Sequence, residues 1–89
     1  MRFIWDEPKR QATLNKRGVD FTDAERVFAG PTFTFEDDRE DYSEQRWVTL
    51  GLLGVQVVVI VHTETEEEIR VISIREADKD ERLLFFTNL

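Results

Sequence analysis

The chain has 89 residues, 40% of them hydrophobic, and this length and composition predict one globular domain over residues 1–89 and exclude a second independent core. It contains no cysteine, which excludes a disulfide framework, a thiolate metal site and a cysteine nucleophile. Twelve basic and nineteen acidic residues give a net charge of −7, which disfavours binding of nucleic acid or anionic lipid except through a local basic cluster.

The apolar segments of the chain are short. The longest unbroken one, residues 57–61, is far below the roughly 20 residues that a membrane helix needs. The first six residues lack the apolar core of a signal peptide. We therefore expect a cytoplasmic protein that makes no contact with membranes.

The N-terminal part of the chain predicts a strand followed by two helices. A strand over residues 2–5 precedes a helix that begins after Asp6 and ends at Gly18, which can adopt the left-handed conformation of a C-terminal cap. Residues 22–25 have the spacing of a capping box and start the second helix. Gly30-Pro31 ends it.

The C-terminal part of the chain predicts a sheet and a last helix. Alternating apolar and polar residues indicate four strands, over residues 32–35, 45–52, 55–64 and 69–75. The third of these is apolar on both faces in its middle, which places it in the centre of the sheet. A second capping box at Asp78 starts a short helix with Leu83, Leu84 and Phe86 as its apolar contacts.

Acidic residues concentrate in two segments, 36–44 and 64–68. The first could suggest a divalent-cation site, but Tyr42 stands where a calcium-binding loop requires glycine, and the spacing of the carboxylates does not match one. Both segments are interpreted as solvated loops. No metal and no cofactor is expected.

Side-chain alternation divides the last three strands between two faces, if short hairpins join them at Leu53-Gly54 and near Glu66-Glu67. The face predicted to form the core beneath the first two helices carries Val48, Leu50, Leu52, Val55, Val57, Val59, Val61, Ile72 and Ile74. The other face, interpreted either as a binding surface or as a half-solvated surface under the C-terminal helix, carries Trp47, Thr49, Gln56, Val58, Ile60, His62, Ile69, Val71, Ser73 and Arg75.

Few residues in the chain offer chemistry. His62 is the only histidine, so imidazole acid or base catalysis depends on it, although a lone histidine at a strand end is also typical of a hydrogen-bonded structural residue. Arg46, Arg70 and Arg75 lie on predicted strands, where each either pairs with a carboxylate or remains available to an anion. Arg75 falls on the polar face.

The segments Trp5–Arg10, Gly18–Phe21, Val27-Phe28, Glu36–Tyr42, Arg46-Trp47, Gly51, Val61–Glu64 and Arg70–Arg75, in this order, resemble the BrnT family of toxin ribonucleases. The resemblance implies a RelE-like fold, a small α+β domain with an antiparallel sheet, two N-terminal helices on one face and a short C-terminal helix. It implies a type II toxin that cleaves RNA and inhibits translation. The implied partner is a BrnA-type antitoxin with a ribbon-helix-helix domain, through which alone the toxin is associated with DNA.

The resemblance also implies roles for the candidate residues in a reaction without metal. Arg75, in an Ile-Ser-x-Arg pattern, is the first choice for the phosphate, and Arg46 and Arg70 are further cationic candidates. His62 is the provisional acid or base, with Glu64 as the carboxylate alternative. The acidic charge favours a second hypothesis, a homologue with weak or no catalytic activity that serves as an antitoxin-binding module.

Overall fold

The computed structural model describes all 89 residues, and its elements follow the predicted order of a strand, helical segments, four strands and a last helix. The strands are β1 (Arg2–Trp5), β2 (Thr32–Glu36), β3 (Trp47–Leu53), β4 (Gln56–Glu64) and β5 (Glu68–Glu76). The helices are α1 (Glu7–Arg17), α2 (Ala24–Phe28) and α3 (Lys79–Thr87), with a 3₁₀ turn over Phe21–Asp23. This confirms a small α+β domain. No helix has the length and hydrophobicity that a membrane span requires.

The five strands form one mixed sheet in the order β1-β5-β4-β3-β2. Strands β2 to β5 make the predicted antiparallel meander, with the apolar strand β4 at the centre of the sheet. Strand β1 pairs with β5 in parallel, so the prediction of a wholly antiparallel sheet is wrong. The two strands come from opposite ends of the sequence, and no hairpin fixes their relative direction.

Helix α1 begins and ends where the sequence predicted. The carboxylate of Asp6 accepts a hydrogen bond from the N–H of Lys9 at 3.3 Å. At the other end, Gly18 has φ +72° and donates its N–H to the carbonyl of Leu14 at 2.9 Å. The left-handed conformation requires glycine here, because a side chain would be strained.

The helical segment before β2 is capped by a residue other than the predicted one. The carboxylate of Asp20 accepts the N–H of Thr22 at 3.0 Å, and α2 begins only at Ala24, without a side-chain cap. Arg10 holds both oxygens of Asp20 at 3.2 Å. Because Asp20 is extended and anchored in this way, its carboxylate replaces the predicted capping box at residues 22–25.

The face of the sheet that packs against residues 19–28 is called here the α2 face. Its buried cluster combines sheet residues with residues of that segment: Val58, Ile60, Val71 and Ile74 with Val19, Phe21, Ala24 and Val27. Gly51 of β3 permits the close approach of α2, because a Cβ atom there would lie 2.5 Å from Cγ1 of Val27.

The opposite face is called the α3 face, because the C-terminal helix packs on it. Its buried cluster contains Val48, Leu50, Val57, Val59, Ala77 and Phe85. The capping box of Asp78 and Glu81 at the start of α3 is confirmed. The predicted apolar contacts of α3 are wrong: Phe85 is fully buried, whereas Leu83, Leu84 and Phe86 are exposed.

The predicted grouping of Val48, Leu50, Val57 and Val59 on one face is confirmed, but the predicted cover is wrong, since α3 and not the N-terminal helices packs on them. Side-chain alternation defines which residues share a face, and β4 is apolar on both of its faces, so nothing local indicates which helix covers which. Val55, predicted in the core, lies in the two-residue turn after Leu53 and is 98% exposed.

One extra residue in β5 changes the side chains that share a face with Arg75. Val61 of β4 pairs with Ser73, but the next residue, His62, pairs with Val71, which leaves Ile72 without a partner. Because side chains alternate along a strand, this bulge moves Arg75 to the α3 face, contrary to the prediction. By the same shift Ile74 joins the α2 face, and Ile72, predicted in the core, is only half-buried.

Candidate functional site

Two clefts contain arginines of the sheet: the first lies beside α3, and the second lies beside the start of α1. The first cleft has a volume of about 200 Å³. Its charged lining residues are two arginines, Arg39 and Arg75, and four acidic residues, Glu36, Asp37, Asp38 and Glu81. The second cleft has a volume of about 190 Å³ and is lined by Asp6, Lys9, Arg46, Arg70, Val71 and Ile72. Both contain arginines that the sequence analysis selected.

In the first cleft the guanidinium of Arg75 is occupied by a carboxylate of α3. Nη1 and Nη2 of Arg75 donate to Oε1 and Oε2 of Glu81, each at 2.8 Å. The same carboxylate completes the capping box by accepting the N–H of Asp78 at 2.9 Å. The hydrogen bonds from Arg75 hold the pKa of Glu81 below its usual value. Arg75 therefore presents a fork that already binds one planar anion.

Arg39 contributes a second guanidinium to the first cleft. Its Nε and Nη2 donate to the two oxygens of Asp37 at 2.7 and 2.9 Å, and the hydroxyl of Tyr42 donates to the same carboxylate at 3.2 Å. The side chain of Asp37 is buried, and the hydrogen bond from Arg39 lowers its pKa to about 2. Arg39 itself is mostly exposed.

Sequence reasoning missed Arg39, because the run 36–44 was interpreted as a solvated acidic loop. The sequence feature that distinguishes Arg39 is its positive charge, because it is the only basic residue in that segment. A lone cation among carboxylates is expected to pair with one of them, as Arg39 does with Asp37.

The second cleft brings Arg46 and Arg70 together around another carboxylate. Arg70 donates to Oε1 of Glu44, and Nε of Arg46 lies 4.0 Å from the same oxygen. The guanidinium of Arg46 stacks on the ring of Tyr42, with 4.2 Å between its carbon and the ring centroid. Nε of Arg46 is buried and has no hydrogen-bond partner.

His62 lies on the α2 face, in the interior of the protein. Its Nε2 is hydrogen-bonded to the hydroxyl of Thr49 at 2.7 Å, and the ring of Phe28 meets the imidazole edge-on at 5.1 Å between centroids. Burial lowers the pKa of His62 to about 4, so the imidazole is neutral at pH 7. Nδ1 lies 3.4 Å from a carboxylate oxygen of Glu64 but is not aligned for a hydrogen bond.

The five predicted site residues therefore fall into two groups. Arg75 lies opposite Val59, and Arg70 lies opposite Thr63, so these arginines share the α3 face, with Arg46 beside Arg70 in the second cleft. His62 and Glu64 lie on the α2 face, and the structure does not bring them to any of the arginines. Their role as acid or base stays a prediction.

The carboxylates of the acidic loop do not gather into a metal-binding group. No three side chains of His, Asp or Glu are arranged so that they could hold a metal ion. The α3 face carries arginine side chains in place of a metal site. A guanidinium can bind phosphate because its N–H donors lie in one plane and because it stays positively charged at every accessible pH. The arrangement can bind phosphate groups and stabilise negative charge on them.

No curated protein matches the chain at a significant level of similarity. A family model described as "Ribonuclease toxin, BrnT, of type II toxin-antitoxin system" matches residues 5–81, which include all five predicted site residues and both clefts. The match covers most of the sequence and confirms the resemblance. The chain belongs to the BrnT family of ribonuclease toxins of type II toxin-antitoxin systems.

Proposed function

We propose that this chain is a metal-independent endoribonuclease that acts in the cytoplasm and inhibits translation, with the scissile phosphate in the first cleft. The observation that carries the proposal is the bidentate carboxylate on Arg75, which occupies the place that a phosphate would take. Arg39 supplies a second positive charge in the same cleft. Support for a RelE-like fold comes from the meander of β2 to β5 with helices on both faces.

Cleavage of RNA without a metal requires three functions. A base removes the proton of the 2′-hydroxyl, cations stabilise the negative charge that develops on the phosphate oxygens, and an acid protonates the leaving 5′-oxygen. Arg75 provides the second function because it donates two hydrogen bonds from one rigid plane. Arg39 adds charge without having to move from Asp37, since its Nη1 takes no part in that pair.

Two assignments of the base are open. The predicted residues are His62 and Glu64, which lie on the α2 face. The carboxylate nearest the proposed phosphate is that of Glu81, and a phosphate that takes over Arg75 releases this carboxylate beside the reacting ribose. We favour Glu81 because His62 is fully buried, so that a substrate on the α3 face cannot reach its imidazole.

The partner of a type II toxin is a protein antitoxin, and we propose a BrnA-type antitoxin with a ribbon-helix-helix domain. The net charge of −7 supports a basic contacting segment on the antitoxin, because opposite charges speed association. The toxin then reaches operator DNA only through this partner. The observation that favours the second hypothesis, a binding module with weak or no catalytic activity, is that Glu81 and Glu44 each pair with an arginine.

The two hypotheses differ in what the chain does alone. We expect its induction without the antitoxin to arrest growth, and the purified chain to cleave RNA in the presence of EDTA, because arginine supplies the charge stabilisation. Gel analysis of RNA incubated with chain, and with chain plus antitoxin, measures this. Absence of both growth arrest and cleavage, with antitoxin binding intact, would establish the binding module.

We expect Glu81→Gln to bind RNA more tightly and to cleave it more slowly. Glutamine at this position keeps the capping box but loses the charge that competes with phosphate for Arg75. The gain is roughly fivefold in affinity, corresponding to the roughly 1 kcal/mol that a half-exposed ion pair contributes. Fluorescence titration with an uncleavable 2′-O-methyl oligonucleotide measures it.

Glu76→Gln is the matched control for Glu81→Gln, because it removes the same charge from an exposed side chain of the opposite face. An affinity of Glu81→Gln no higher than that of Glu76→Gln would contradict competition at Arg75. Normal cleavage by Glu81→Gln, together with its loss in a folded His62→Gln variant, would return the role of base to His62.

A further inference from the structure

The second cleft is an anion site that the proposed cleavage step does not use. We propose that Lys9, Arg46 and Arg70 bind another phosphate of the same RNA strand, some distance from the scissile phosphate at Arg75. This inference rests on the proposed function. It adds that the RNA must be long enough to reach both clefts. The second cleft would then anchor the strand, and the first cleft would carry out the reaction.

The position of Glu44 shows what kind of group this cleft accommodates. Its Oε1 is hydrogen-bonded to Arg70 but lies 4.0 Å from Nε of Arg46, too far for a hydrogen bond to the second guanidinium. That nitrogen is buried without a hydrogen-bond partner, which is unfavourable for a charged donor. A phosphate has more oxygens than one carboxylate edge and can satisfy both arginines at once.

The other charges of the cleft also favour an anion. Lys9 is one of the lining residues and makes no ion pair. Asp6, the one carboxylate of the lining, is already engaged as the N-cap of α1. When Glu44, which is partly exposed, swings towards solvent, three cations face one carboxylate. The ring of Tyr42 holds Arg46 in place meanwhile, so its guanidinium needs little ordering when the anion binds.

The two clefts are too far apart to contact one phosphate. The residues of β4 opposite Arg75 and Arg70 are Val59 and Thr63. Four residues along a strand span about 13 Å. The sheet surface between them, formed by Val61 and Ser73, carries no charge. A strand of RNA that follows β5 therefore places different phosphates in the two clefts.

The test compares two uncleavable 2′-O-methyl oligonucleotides, a mixed-sequence dodecanucleotide that can reach both clefts and a dinucleotide that can fill only one. For Arg70→Ala we expect weaker binding of the dodecanucleotide and a decrease of about one in the slope of log affinity against log salt concentration. Binding of the dinucleotide in the first cleft, followed by NMR titration at Val59 and Val61, should not change. Glu44→Gln should strengthen binding of the dodecanucleotide without changing this signal, because it removes the competitor in the second cleft.

Arg26→Ala is the matched control, since Arg26 is an exposed arginine of α2 on the other side of the sheet. Thermal unfolding verifies that each variant is folded. If Arg70→Ala binds the dodecanucleotide with the same affinity and salt slope as Arg26→Ala, the proposal of a second phosphate site is wrong. If Arg75→Ala still weakens binding of the dodecanucleotide in that case, the phosphate site of the first cleft stands. A wild-type chain that binds neither oligonucleotide overturns the proposed function as well.

Discussion

Arg75→Ala should lower kcat/KM for RNA cleavage by about 10²–10³-fold, the effect of removing one donor that stabilises developing charge. The guanidinium forms two parallel hydrogen bonds in the first cleft, and no other side chain there has a fork of the same orientation, because that of Arg39 is directed at Asp37. The expected loss lies mainly in kcat, since the phosphate charge is greatest in the transition state.

The variant should remain folded, so this loss can be attributed to chemistry. Arg75 is 38% exposed, and its partner Glu81 keeps the hydrogen bond from the N–H of Asp78 that begins α3. Helix α3 also stays anchored by Phe85, which is fully buried. Thermal unfolding of wild type and variant, recorded by circular dichroism, measures this directly.

Two further variants test the reason for the effect. Arg75→Lys keeps the charge but loses the fork and should recover only part of the activity. Arg26→Ala removes an arginine from the opposite side of the sheet and should cleave RNA like wild type. Growth arrest and cleavage that persist undiminished in a folded Arg75→Ala variant would refute the assignment of the phosphate to the first cleft, although not the membership of the family.

The order of elements could be predicted because it depends on local signals. Asp6 and Gly18 define α1, Asp78 and Glu81 define the start of α3, and the apolar run of β4 places that strand in the centre of the sheet. Each of these signals involves residues within a few positions of one another. The parallel pairing of β1 with β5 joins residues more than sixty positions apart, and no local pattern specifies it.

The arrangement of the site could not be predicted from alternation alone. An unpaired residue, Ile72, reverses the face of every residue that follows in β5, and this is why Arg75 lies on the α3 face. The sequence around Ile72 contains no glycine that would indicate a bulge. Arg39 and Glu81, which complete the first cleft, belong to a loop and a helix whose approach to the sheet depends on tertiary packing.

The burial of His62 argues against the acid or base role that its residue type predicts. A histidine at the end of a strand, in a chain with only one, predicts acid or base catalysis because its pKa is ordinarily near neutrality. In the structure its ring is enclosed by Phe28 and Thr49, and the hydroxyl of Thr49 lies in turn 2.7 Å from that of Thr34. Thr49 and His62 are buried, whereas Thr34 is exposed, so the hydrogen bonds run from the interior to the surface. The hydroxyl of Thr49 satisfies Nε2, and we propose a structural role for His62.

This burial has a measurable consequence for stability. The free energy of unfolding should fall by about 2 kcal/mol between pH 7 and pH 5 because of His62 alone. The pKa is about 4 in the folded protein and returns to its ordinary 6.5 on unfolding. Between pH 6.5 and pH 4, His62 is protonated in the unfolded chain but neutral in the folded protein. Its contribution to the free energy of unfolding is therefore fully present above pH 6.5 and is lost progressively as the pH falls towards 4. The carboxylate of Glu64, 3.4 Å from Nδ1, is 42% exposed to water, so its charge is screened and offsets little of this loss.

Urea unfolding of wild type and His62→Gln at pH 7, 6 and 5 separates this contribution from all others. Glutamine retains a hydrogen-bonding partner for Thr49 but does not titrate. As the pH falls from 7 to 5, the free energy of unfolding of the wild type should therefore decrease by about 2 kcal/mol relative to that of the variant. The four carboxylates with lowered pKa values, those of Glu7, Asp20, Asp37 and Glu81, affect stability only below about pH 4.5, outside this window. Parallel pH profiles of the two proteins would show that His62 is accessible to water and protons in the folded state, and the objection to its acting as an acid or base would then disappear.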